Sequence, residues 1–362
     1  MIKIPRRREI CDKFKASGGR IAAVLPIHYP RALLRSFDFL PVEVWGPPHV
    51  DVSYGGAHLQ PYVCSVVHNA LSFIKTGGLD VTDLIIVPHA CDSLQGLGSI
   101  LIDFVRPKQP VLPFYLPRGR RREDLDFLKD EIRSLYVKLS NITGKRPDRD
   151  TMMMRIEIEE LADLKLHQIY ESRIRNESVR SMSNYEFYKI IRSREFLPAE
   201  DFIKIADEIS NASEAGDDGI PVILSGIVPE PMEILNAIEE AGGKVIADDL
   251  ACCGRRLYSP GVSDDPIERM AETIMNAPPD VTRGSLIEER FEHLKNLSEK
   301  TGARGIIFYT VKFCEPELFD LPELRDLLKK SGIPSVHVEI DIGDPLPHQT
   351  ITRLTAFLEV LE

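Results

Sequence analysis

AAVLPIHYPRALLRSFDFLPVEVW, residues 22–45, can be laid beside VILSGIVPEPMEILNAIEEAGGKVIADD, residues 222–249. Each reads as an apolar strand, a proline-containing turn, a helix, a short break and a second strand ending in an acid, Glu43 in one and Asp248 in the other. The pattern continues outward from both. In the first half a helical period over residues 60–76 stops at Gly77-Gly78, LIIV at 84–87 is a strand, 92–104 is helical, and PVLPFYL at 110–116 is a strand. In the second half GIIFYTVKFCEPE at 305–317 parallels LIIVPHACDS at 84–93, a strand running into a cysteine. Alternating strands and helices predict an α/β fold with mostly parallel sheets covered on both faces.

Between these halves, residues 122–212 change to long charged segments of helical period, such as 124–144 and 151–175, with no convincing strand. The organisation predicted is an N-terminal helical arm at 1–19, a first α/β domain at 20–121, a helical segment at 122–212 and a second α/β domain at 213–362. Met152 to Met154 read as core or interface packing.

Composition bounds the function. A chain of 362 residues exceeds the roughly 250–300 at which single cores stop growing, so more than one domain is expected. Lys and Arg number 45 against 56 Asp and Glu, a net charge of −11, which is the wrong sign for a nucleic-acid-binding surface. No run approaches the roughly 20 apolar residues of a membrane helix, and the first 19 residues have no apolar core of signal-peptide length. These features predict a cytoplasmic protein, with neither nucleic acid nor membrane as a partner.

Six cysteines, Cys11, Cys64, Cys91, Cys252, Cys253 and Cys314, are too sparse for a disulfide scaffold, so any with a task should be thiolate ligands or nucleophiles. Ligands of open α/β sheets bind beyond the carboxyl ends of the strands, and there the cysteines gather. Cys91, Cys314 and the pair Cys252-Cys253 follow predicted strands, while Cys64 lies in the first turn or so of a helix. One such cysteine alone reads as a small buried hydrophobe sooner than as a ligand. Three converging from facing sheets suit an iron–sulfur cluster better than zinc, which often takes a close Cys-x-x-Cys pair, absent here.

HLQPYVCS at 58–65, PHACDS at 88–93, VIADDLACCGRRLY at 245–258 and KFCEPE at 312–317 together resemble the 2-hydroxyacyl-CoA dehydratase family, which includes cluster-bearing subunits of ATP-dependent benzoyl-CoA reductase. LPIHYPRALLRSFDFLPVEVWGPP at 25–48 and GIPSVHVEIDIGDP at 332–345 match as well, so the likeness runs from about residue 20 to the end. It implies two flavodoxin-like, Rossmann-type domains with a [4Fe–4S] cluster between them, held by Cys64, Cys91 and Cys314. By the same resemblance the fourth iron would have no cysteine, and acyl-CoA would be reduced there by one electron to a ketyl radical. The resemblance further implies a homologous second subunit and a separate ATP-dependent iron–sulfur activator. In keeping with a separate activator, the chain has no phosphate-binding G-x-x-x-x-G-K-[ST] loop, ITGKRP at 142–147 reading as a helix end, and Gly96-Leu-Gly98 lacks the third glycine of a dinucleotide fingerprint.

By the same resemblance Glu43 is the acid expected near substrate, against the plainer reading of a solvated strand end. Arg255 and Arg256 could pair with coenzyme A phosphates or form surface ion pairs. Asp248 and Asp249 read as a coupled pair or as a loop network. His89 reads as a donor to a cluster sulfide or as a turn histidine bonded to backbone. Cys252 and Cys253 could enlarge the cluster to a double-cubane type, which needs about six thiolates. Trp45 and Pro47-Pro48 shape the cleft or a contact between subunits. Three functions stay open: a dehydratase subunit, an aromatic acyl-CoA reductase subunit, or an electron carrier that binds no coenzyme A.

Overall fold

The computed structural model describes residues 3–47, 50–175, 179, 181–210 and 219–362. Pro48 and the boundary expected at residues 212 and 213 lie outside the described residues. Among the described residues eight strands form two all-parallel sheets. In the first, β1 (Arg20–Val24), β2 (Phe39–Glu43), β3 (Leu84–His89) and β4 (Val111–Tyr115) run in the order β2-β1-β3-β4. In the second, β5 (Ile220–Gly226), β6 (Gly243–Leu250), β7 (Gly305–Val311) and β8 (Ser335–Ile340) repeat that order as β6-β5-β7-β8. The duplicated sequence pattern is therefore a duplicated doubly wound topology. Strand β8 carries no separate signal in the linear reading.

The central strands are buried along nearly their whole length, as Val/Ile/Leu runs covered on both faces must be. One face of the first sheet packs on the long helices Arg122–Thr143 and Arg149–Ile174, through Leu128, Ile132, Leu135, Leu139, Met152 and Ile156, with Met270 and Ile274 from the second half joining them. Met152 is buried and Met154 about half exposed, so the methionine run is one edge of that helix-on-sheet packing. Another core cluster runs through both sheets without a break and takes in Cys64, Cys252, Cys253 and Cys314. The carboxyl ends of the two sheets consequently face each other across a packed junction.

Helix ends follow local chemistry. Gly144, at φ 71°, closes Arg122–Thr143 in the left-handed conformation, which places the Gly-Lys of ITGKRP in a helix C-cap. The helix expected over residues 60–76 begins only at Ser65, so Cys64 is its N-cap. Among the described residues no helix is long and apolar enough to cross a membrane.

Candidate functional site

In a doubly wound sheet the strand order reverses beside the first strand, and the gap beyond the strand ends there is where ligands bind. Both sheets have this point, and the two coincide at one apolar cavity of about 50 Å³. Its wall contains Pro26 and Ile27 beyond β1, Ala90 and Cys91 beyond β3, Ile227 beyond β5, Ala251 beyond β6, and Val311 and Cys314 at the end of β7, joined by Cys64, Trp45 and Thr282 and by apolar residues of the helices that Cys64 and Cys91 precede.

Cys64, Cys91 and Cys314 share one local role. Each is the N-cap of a helix, Ser65–Lys75, Asp92–Ile100 and Glu315–Lys330 respectively, and none makes a side-chain cap hydrogen bond. First-turn amides, those of Val66 and Val67 for Cys64 and of Ser93 and Leu94 for Cys91, favour the thiolates. Burial outweighs them. It pushes the Cys64 thiol up to about 12, with Cys91 adding to the rise, and raises Cys91 and Cys314 as well, Cys314 feeling both of the others. The three sulfurs are thus electrostatic neighbours in a wall without a carboxylate or imidazole. Among the described residues no group of three His, Cys, Asp or Glu is gathered tightly enough for a single metal ion. A donor set of three free thiols, each aimed at helix amides and lacking a counter-charge, fits a larger cationic thiolate-held group.

Gly46 brings Trp45 to this wall. At φ 70° its backbone approaches Val66 so closely that a Cβ would come 2.5 Å from the Val66 carbonyl oxygen. Trp45 Nε1 then donates to Glu43 Oε2 at 3.1 Å.

Glu43 is buried, not a solvated strand end. Tyr29 Oη and Arg31 Nη1 donate to Oε1 at 3.1 and 3.2 Å, and Arg256 reaches both oxygens. Burial alone would raise this carboxyl, yet Arg256 and Arg31 hold it below the ordinary range. Glu43, Arg31, Arg194 and Arg256 line a second cavity, of about 60 Å³, and two of its donors, Arg194 Nη1 and Arg256 Nε, are buried without a hydrogen-bond partner among the described residues.

Arg255 and Arg256 are both buried, which excludes surface ion pairs. Arg255 is surrounded by carboxylates: Asp249 at 3.0 Å, Asp280 at 3.3 Å and Glu317 at 2.6 Å. Arg290 joins the same network through Asp249 at 2.8 Å and Glu317 at 3.2 Å. The contacts of both arginines are therefore internal, where the sequence reading places coenzyme A phosphates. Asp248 and Asp249 do not share a site. Tyr170 and Tyr188 donate to Asp248 at 2.6 and 2.8 Å, with the Leu250 and Gly254 amides, whereas Asp249 faces the arginines. Of the two readings the loop network is the one the contacts describe.

The His89 ring lies edge-on to Tyr115, 4.5 Å between centroids, and among the described residues neither nitrogen has a partner, so the expected bond to turn backbone is not made there. It is also not part of the cysteine cavity's described wall. Cys252 and Cys253 sit with sulfurs 3.2 Å apart and fully buried outside that wall. Cys11 lines a third cavity beneath the helix Arg7–Ala16.

Sequence reasoning missed Tyr29, Arg194, Tyr258, Asp280, Thr282 and Arg290. Tyr29 and Tyr258 stand inside the motifs that carry the resemblance, close to Glu43 and Arg256. Asp280, Thr282 and Arg290 lie in a stretch with no strand and no motif, and nothing in linear spacing points to them.

Two doubly wound domains with a three-thiol cavity at their joined switch points define a class of two-domain α/β scaffold. The family profile of the 2-hydroxyglutaryl-CoA dehydratase D-component matches residues 26–361, and the chain belongs to that family, a family of enzyme subunits. It is 25% identical to the (R)-phenyllactyl-CoA dehydratase beta subunit of Clostridium sporogenes over 98% of this chain and 95% of that one. It is likewise 25% identical to the (R)-2-hydroxyglutaryl-CoA dehydratase beta subunit of Acidaminococcus fermentans, over 96% and 94%. To a benzoyl-CoA reductase subunit of Thauera aromatica it is 21% identical over 88% and 84%.

Proposed function

We propose that this chain is one subunit of an oxygen-sensitive 2-hydroxyacyl-CoA dehydratase and holds a [4Fe–4S] cluster through Cys64, Cys91 and Cys314. The observation that carries the proposal is the meeting of three helix-capping thiols, two from one domain and one from the other, in one apolar cavity. The dehydratase is favoured over the aromatic reductase because beta-subunit relatives match more of the chain at higher identity. Their subunit names support a second subunit as partner, and the family resemblance supports its being homologous and an ATP-dependent iron–sulfur activator.

When bound, such a cluster supplies one electron at low potential and Lewis acidity toward a thioester oxygen. The chain's own residues do the rest. The apolar wall keeps water from the electron, and Trp45 closes it on the side of Glu43. Both Glu43 oxygens are occupied, so Glu43 acts by fixing Arg256 and Arg31 and not by exchanging a proton. The free N–H groups of Arg256 and Arg194 are then set to meet an acceptor oxygen in the neighbouring cavity.

The test is anaerobic purification with the partner subunit, iron and sulfide analysis, and acyl-CoA titration followed by EPR. About four iron per chain and a spectrum perturbed by a 2-hydroxyacyl-CoA are expected. About eight iron would replace the proposal with a larger cluster drawing on Cys252 and Cys253, and a colourless protein after strict anaerobic reconstitution would overturn it. Cys314→Ser should abolish the brown colour.

A further inference from the structure

The loop that follows β1 enters the left-handed region at two consecutive residues, Ile27 at φ 45° and His28 at φ 60°. A β-branched residue such as Ile27 is a strained outlier there, whereas histidine tolerates that region better. The distortion has a visible product. Ile27 turns into the wall of the cysteine cavity, while the next residue, His28, is buried with both ring nitrogens engaged.

His28 Nε2 is 3.1 Å from Asp280 Oδ2, and Nδ1 is 3.0 Å from the Tyr258 hydroxyl. Because a carboxylate only accepts, Nε2 carries the hydrogen and Nδ1 accepts from Tyr258; the tautomer is assigned from these partners. Asp280 is held on its other oxygen by the Thr282 amide at 2.9 Å, Thr282 Oγ1 at 2.7 Å and Arg255 at 3.3 Å, which leaves Oδ2 for the histidine. Thr282 lines the cysteine cavity, and Asp280 is close enough to raise the Cys91 thiol. At the other end Tyr258 opens into a groove of about 580 Å³ together with Glu157, Glu160, Asp163 and His167. Those acids give the groove a negative charge, which draws cations and disfavours the phosphates of coenzyme A.

We propose that Tyr258 and His28, oriented by Asp280, form a proton relay that brings one proton from this acidic groove to the flank of the cysteine cavity when an electron enters the cavity. The proposal rests on the cluster reading above. An external one-electron donor supplies the electron. The Tyr258 hydroxyl proton passes to His28 Nδ1, groove water returns a proton to the Tyr258 oxygen, and His28 ends as an imidazolium with Asp280 still ionised beside it. One negative and one positive charge have then been added, which spares the apolar interior an unbalanced charge. The charged groups facing His28 are Asp280, Arg255 and Arg283; burial and the two arginines keep it neutral until the electron arrives, at a pKa lowered to about 4.

The test uses the full chain. In the reconstituted protein, the midpoint potential should fall as pH rises, by up to about 59 mV for each tenfold drop in proton activity. His28→Gln should flatten that dependence with iron content unchanged. Tyr258→Phe should keep the slope but slow reduction-linked proton uptake at least tenfold. An unchanged slope in His28→Gln would overturn the relay. If the wild-type chain takes up no iron, the cluster reading fails, and ¹⁵N NMR of the iron-free protein still judges the hydrogen-bonded path itself. A neutral Nε2–H His28 whose ring shifts move on Tyr258→Phe is expected, and an Nδ1–H tautomer sinks the path.

Discussion

The two sheets have the same strand order, yet their carboxyl ends are built from different materials. The first domain presents two thiols, Cys64 and Cys91, on apolar loops, and its buried acid, Glu43, borrows a cation from the other domain. The second presents one thiol, Cys314, and behind it a fully buried ionic network of Asp249, Arg255, Asp280, Arg290 and Glu317. The helix before β3 is capped by Cys64 in the cavity, whereas its counterpart before β7, Ile287–Thr301, is capped by the exposed Leu286. A shared topology thus fixes where a ligand sits, and the residues at the strand ends decide which domain holds it and which holds the charge.

That division can be broken most severely in the second domain. Arg255→Met takes away the cation shared by three buried carboxylates, leaving Asp249 and Glu317 to Arg290 and Asp280 to His28, and a loss of about 3–5 kcal/mol is expected by urea titration; a loss below about 1 kcal/mol would mean the network is not the second domain's frame. Glu43→Gln should cost somewhat less, about 2–4 kcal/mol at pH 7, because Arg256 keeps some partners of its neutral amide. The pH dependence has a defined sign. Glu43 has a lowered carboxyl pKa in the folded chain, so its contribution is present above the unfolded value near 4.3 and is lost as pH falls through the folded one. The gap between wild type and Glu43→Gln should therefore narrow on acidification below about pH 4.5. A gap constant from pH 7 to pH 3 would assign the effect to packing instead.

The smallest effect has the opposite sign. Serine is a preferred N-cap and cysteine is not, so Cys91→Ser in the iron-free chain should be neutral or stabilising by up to about 1 kcal/mol while iron binding is lost. Thermal melts with and without reconstitution measure both halves of this statement. Destabilisation by more than about 1 kcal/mol would return Cys91 to the role of buried hydrophobe. Leu286→Ser, at the matching exposed cap, should gain about 0.5–1 kcal/mol by the same melt with iron content untouched.

The alternation of apolar strands and amphipathic helices is local, which is why both sheets and the helical segment were legible from residues 22–45 and 222–249 outward. The thiols were legible because strand-end positions can be counted along the chain. The partners of the charged residues were not. Arg256 and Glu43 are 213 positions apart, and Arg255 gathers acids from a strand end, a loop and a helix start. Composition suggests that arginines beside glycine face solvent or phosphate, since long charged side chains are seldom fully buried. Only the tertiary fold supplies the carboxylates that reverse that expectation. The late helix start at Ser65 has a similar origin, because the cavity needs Cys64 in an extended conformation, ψ 146°, and not in a first helical turn.

Arg255 and Arg256 are separated by a single peptide bond, in a short 3-10 turn that Gly254 lets press against the Asp248 carbonyl. One side chain grips the second domain and the other grips Glu43 in the first. The pair works as a calliper whose jaws cannot spread further than one dipeptide allows. A hinge opening of the two domains at this point would first have to pull a buried guanidinium off its acid. Entry to the thiol cavity is therefore set by the rim loops and side chains, and the span across the cavity is a fixed gauge against which any bound group must be sized.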